Sequence, residues 1–74
     1  MSFFKNAASI AEIYAQRAIE ERHEFKSVML CFEYFHEHVF FCALDEGLDD
    51  DAVDRVTDYF EELFDAHFET NFSQ

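Results

Sequence analysis

The chain has 74 residues, half of them hydrophobic and 19% aromatic, which excludes a disordered acidic tail. Eleven Phe, three Tyr, one Gly and no Pro leave few residues for tight turns and disfavour an all-β fold of many hairpins. Five bases against 17 acids give a formal charge of −12. That excludes binding nucleic-acid phosphates through surplus Lys and Arg, and it opposes anionic membrane surfaces.

Helical periodicity marks three segments. The first spans about 2–23, opening at Ser2 or at Ser9, where Glu12 stands three residues on as a capping box. Its apolar stripe reads Ile10, Ile13, Tyr14 and Ala18, extended by Phe3 and Ala7. Several alanines keep it thin enough for close approach by another helix. The second spans about 26–46. Phe25, Val28, Phe32, Phe35, Val39 and Cys42 recur at three- and four-residue steps, and Leu30, Tyr34, Phe41 and Leu44 line a different face. A helix apolar on two sides is expected to be packed on two sides, so this segment reads as the central element. The third spans about 50–70, with Val53, Val56, Phe60, Leu63, Phe64 and Phe68 toward the core.

The two boundaries differ in clarity. Gly47 suits the left-handed residue that ends a helix, Asp49 suits the next N-cap, and Leu48 can staple onto Val53. Between Ile19 and Ser27 the chain reads Glu20-Glu21-Arg22-His23-Glu24 with no Gly or Pro. It either turns there or continues as one rod of about 45 residues, roughly 67 Å long. The fold class is therefore all-α: one domain over 1–74, a small three-helix bundle or a long helical hairpin. A domain this small buries only about 60% of its unfolded surface, so a homodimer is the expected way of completing the core.

Cys31 and Cys42 are eleven residues apart. On one helix that is about 16 Å, beyond the ~7 Å a disulfide tolerates. Two reduced core thiols fit a cytoplasmic protein. The first residues lack the apolar core of a signal peptide, and the longest apolar run, 39–44, falls short of the ~18 residues of a membrane span.

Charge is unevenly placed. Residues 1–26 hold four acids and four bases, whereas 27–74 hold thirteen acids and a single base, Arg55. On the third helix Asp51, Asp54, Asp58, Glu61, Glu62, Asp65 and Glu69 fall on or near the face opposite the apolar one. Seven carboxylates over about 27 Å of helix approach the spacing of phosphates along a DNA strand, about 3.4 Å. The plain alternative is a coat that keeps greasy helices apart. Ordinary solvated helices, however, mix signs and gain from i,i+4 pairs, while like charges at that spacing cost a few tenths of a kcal/mol each. The row is expected to bind a basic, nucleic-acid-binding protein and to inhibit it by phosphate-backbone mimicry, without direct contact to nucleic acid. Compact genomes such as those of phages and mobile elements favour proteins of this size for such a task.

Two further readings come from the second helix and from exposed aromatics. Glu33 and His36 have the Glu-x-x-His spacing of carboxylate-bridged di-iron bundles, with Glu37 adjoining. A symmetric dimer would supply the second pair, with Glu20 or Glu24 as the extra carboxylate. The plain alternative is that Glu33, His36 and Glu37 form the solvent strip of an apolar helix, and no cofactor is expected. Phe3, Phe4, Phe40, Phe41 or Phe72, if exposed, would instead make the protein a helical adaptor or assembly subunit. The Asp-rich 45–54 segment lacks the Gly and Glu of an EF-hand. No phosphate-cradling loop and no Ser–His–Asp or Cys–His signature is present, so no enzyme is expected.

The run Val56-Thr57-Asp58-Tyr59-Phe60-Glu61-Glu62-Leu63 somewhat resembles the acidic second helix of the nuclease-colicin immunity proteins. The likeness covers eight residues, and the family's Ser-Asp-x-Ile-Tyr-Tyr-Pro segment is absent. It implies only that an acidic helix of this kind can block a basic nuclease surface.

Overall fold

Residues 7–68 are described by a computed structural model. They make three α-helices, α1 (Ala7–Glu21), α2 (Val28–Asp45) and α3 (Asp50–Phe68), with a single 3₁₀ turn, Arg22–Glu24, between the first two. Each helix packs on the other two, giving a three-helix bundle.

The break after α1 has no Gly or Pro, and its cause is tertiary. Phe25 adopts an extended conformation (φ −111°, ψ 146°), and its N–H donates to the Arg22 carbonyl at 3.1 Å. The Arg22 guanidinium in turn donates to the Phe25 carbonyl at 3.2 Å. The Phe25 ring then lies edge-on to Phe35, with centroids 5.9 Å apart, and packs against the core. Burying this ring holds the chain in a turn, so the long-rod alternative is not what forms. Ser27 caps α2, its Oγ accepting the Leu30 N–H at 3.1 Å. Ser9 is not a cap. It lies inside α1, and Glu12 reaches across the bundle to accept a hydrogen bond from the Tyr59 hydroxyl at 3.3 Å. The alternative start at Ser2 lies outside the described residues.

The second boundary forms as its residues predict. Gly47 has φ +82°. Its N–H donates to Leu44 O at 3.0 Å and the Leu48 N–H donates to Ala43 O at 3.3 Å, the paired bonds of a Schellman motif. Asp49 follows at once as N-cap, its Oδ1 accepting the Ala52 N–H at 2.9 Å. Asp50 and Asp51 occupy the first turn of α3, where the helix dipole favours negative charge.

The core joins small side chains on α1 to large ones on the other helices. α1 buries Ile10, Ala11, Ala15 and Ala18, while Ile13 is exposed and Tyr14 half-buried. The expected stripe through Ile13 is therefore rotated toward the alanines, because a thin face lets α1 approach and leaves room for phenylalanines. α2 buries Cys31, Phe35, Val39 and Ala43; α3 buries Val53, Val56, Thr57, Phe60 and Phe64. Phe32 stacks on Phe60 at 5.8 Å and meets Phe64 edge-on at 5.2 Å, which clasps α2 to α3.

α2 is not a central helix covered on two sides. Its second apolar face, with Leu30, Tyr34, Phe41 and Leu44, is exposed. The interior itself is closed by one chain, since Ile10, Phe35, Phe60 and Phe64 are each at most 1% exposed. Among the described residues no helix is long and apolar enough to cross a membrane.

Two substitutions test this account by urea denaturation. Gly47→Ala meets no steric obstacle, because nothing lies within 4 Å of the added Cβ. Only the positive φ opposes it, so it should cost about 1 kcal/mol. Phe60→Ala should cost about 3–5 kcal/mol, a large share of the roughly 4–11 kcal/mol expected of a domain this size, and should shift the urea midpoint strongly downward.

Candidate functional site

With Val53, Phe60 and Phe64 fixed in the core, the 100° turn per residue decides what α3 shows to solvent. Asp51, Asp54, Asp58, Glu61, Glu62 and Asp65 fall within a sector about 100° wide. Asp51, Asp54, Asp58 and Glu62 are exposed, while Glu61 and Asp65 are half-buried. The seventh predicted member, Glu69, lies outside the described residues. The carboxylates are thus not scattered. They share one face of one rigid helix, and Arg55 stands at its edge.

Crowding within the row shows in Glu61. Burial raises its carboxyl above the ordinary 4.5, and Asp58 and Asp65 push it the same way, while His36 pulls it down. His36 Nε2 lies 4.0 Å from Glu61 Oε2. That histidine leans toward α3, its ring 5.1 Å from Phe32 and 6.2 Å from Phe60.

This orientation separates the Glu33, His36 and Glu37 set. His36 faces α3, Glu33 is exposed, and Glu37 lines a groove on the α1 side with Tyr14 and His38. Among the described residues no three His, Cys, Asp or Glu side chains come together in a way that would hold a metal ion. Both thiols are free. Cys31 is buried, its Sγ 3.6 Å from the Ala18 carbonyl, and burial raises its pKa. Cys42 is half-buried beside Tyr14, and burial raises it too. At Cys31 this burial outweighs the opposing pull of the Arg22 guanidinium.

The second surface lies on α2. Met29 and Phe40 join Leu30, Tyr34, Phe41 and Leu44 as exposed side chains. Their apolar pattern is visible in the sequence, but pattern alone does not tell a covered face from an open one. Of the aromatics considered for an adaptor, Phe40 and Phe41 are exposed, whereas Phe3, Phe4 and Phe72 lie outside the described residues.

No family model matches the chain, and no curated protein or solved structure is significantly similar to it.

Glu61 gives a pH test. Its folded pKa is raised, so its contribution to stability is fully present below the unfolded value of 4.5 and is lost as pH rises through the folded pKa. Glu61→Gln should remove that component. The urea midpoint of the variant should fall less than that of the wild type between about pH 4 and pH 7.

Proposed function

We infer that the protein is a non-enzymatic binding protein that inhibits a basic, nucleic-acid-handling partner by laying α3 along its phosphate-binding groove. The observation that carries this reading is the confinement of six carboxylates to one sector of one helix. From Asp51 to Asp65 the row runs about 21 Å, one carboxylate per roughly 4 Å, against about 3.4 Å per phosphate along a DNA strand. The two spacings are close enough for a cationic groove to meet the row charge for charge.

Electrostatics favours this use over a solubility coat. A coat works with charges spread over the surface and with mixed signs, which gain from i,i+4 pairing. Here Arg55 is the only Lys or Arg in the helix, and Glu61 is held above its ordinary pKa by burial and by its like-charged neighbours. A cationic partner relieves that repulsion on binding. The same one-sign field draws the partner in and orients it, most strongly at low salt. Rigidity matters as much as charge. Phe60 and Phe64 anchor the opposite side of α3, so the row is presented with little to order on binding.

The test is capture of partners from cell lysate at low salt on the immobilised protein, followed by elution with duplex DNA. Retained proteins should be nucleic-acid-binding proteins that DNA displaces. Asp58→Lys with Asp65→Lys should lose them while keeping its helical circular dichroism. If none of the retained proteins were lost in this double reversal, or none were displaced by DNA, the row would be reduced to a solvated face.

A further inference from the structure

Among the described residues, six of the seven exposed large hydrophobic side chains belong to α2: Met29, Leu30, Tyr34, Phe40, Phe41 and Leu44, each 39–53% exposed. They fall on the side away from Phe35 and Val39, and Glu33 and Glu37 lie between them. Along about 22 Å of helix the face reads apolar, acidic, apolar. At about 200 Å² for a side chain of this size, half-exposure leaves roughly 550 Å² of largely apolar surface. That is the upper end of what a monomer ordinarily shows in one patch.

A groove of about 320 Å³ adjoins this face between α1 and α2, lined by Tyr14, Glu37, His38, Phe41, Cys42 and Asp45. It sets two carboxylates beside two aromatic rings. That combination suits the head of a Lys or Arg side chain, which gains from the charge and from the ring faces.

The charge of the face chooses its occupant. Two copies paired α2 on α2 would bring Glu33 and Glu37 of both chains together, and α2 has no Lys or Arg to offset them. Each chain also carries −12 overall. A paired interface would total roughly 1,100 Å², the size of a transient contact and well short of the 2,000 Å² or more of obligate dimers. A basic amphipathic helix has the complementary pattern.

We propose that the outer face of α2 docks a cationic amphipathic helix of a partner protein. The helix sets apolar residues on Met29, Leu30 and Tyr34 at one end and on Phe40, Phe41 and Leu44 at the other. A Lys or Arg side chain enters the groove beside Glu37 and Asp45. This surface is distinct from the α3 row, and the two stand or fall separately.

The probe is a labelled synthetic Leu/Lys amphipathic peptide of about 18 residues, some 27 Å as a helix, followed by fluorescence anisotropy. Its counterpart with Gln in place of Lys measures the apolar contribution alone. The Lys peptide should bind the wild type. Affinity should fall about tenfold or more in Leu30→Ser/Phe41→Ser and in Glu37→Gln/Asp45→Asn. It should stay within about threefold in Asp58→Lys/Asp65→Lys, whose changes lie on α3. The groove variant removes charge without cutting apolar packing, so it carries the test if the Ser variant does not fold. Three outcomes overturn the proposal: no binding to the wild type, binding lowered only by the α3 reversal, or equal binding of the Gln peptide. A fourth is sedimentation of the wild type at twice the 8.8 kDa chain mass, with the dimer dispersed by Leu30→Ser/Phe41→Ser, which would give the face to a second copy.

Discussion

The bundle depends on a match of small against large. α1 offers Ala11, Ala15 and Ala18 to the interior, and the space they leave is filled by Phe35, Phe60 and Phe64 from the other two helices. Each fully buried phenylalanine contributes roughly 1.5–3 kcal/mol, which is large against the few kcal/mol that separate a small domain from its unfolded chain. Concentrating these rings between α2 and α3 has a geometric effect as well. Phe32 bridges to Phe60 and Phe64, and the Gly47 turn joins the two helices within a few residues. The helix that carries the carboxylates and the helix that carries the open apolar face are therefore held in one rigid hairpin.

That hairpin sets two unfavourable features against one favourable core. Like charges crowd one side of α3, and burial adds to the cost of ionising Glu61. Large side chains stand in water along α2. Neither helps an isolated chain to fold, and both concern surfaces where the core makes no demand. A protein selected for stability alone would intersperse Lys along α3 and place polar residues at Leu30, Phe41 and Leu44. α2 has no Lys or Arg and α3 has a single Arg, so neither helix offsets its own unfavourable feature.

The fold is legible in the sequence where local chemistry decides the outcome. Gly47 and Asp49 end one helix and begin the next through their own backbone and side chain, and a reader of the sequence sees both. α3 alternates apolar and acidic positions cleanly, so its inner and outer faces were plain. The fold is not legible there where distant residues decide. The turn at Arg22–Glu24 has no breaking residue and depends on Phe25 finding Phe35. Alanine reads as weakly apolar, so the Ile13 and Tyr14 side of α1 looked like the inner one, whereas the steric advantage of Ala11 and Ala15 appears only with the facing phenylalanines present. The Glu33 to His36 spacing was visible, but the lean of His36 toward Glu61 comes from α3.

The segregation of charge has one more consequence. Arg17, Arg22 and Lys26 sit with α1 and the turn after it, where they roughly balance the local acids, while the negative excess lies with α2 and α3. The molecule thus carries an uneven charge distribution besides its net charge. Near a positively charged surface it experiences a torque as well as an attraction, acting over the ~10 Å screening length of about 0.1 M salt. It would tumble into alignment before touching, and fewer of its collisions would be wasted on the wrong side.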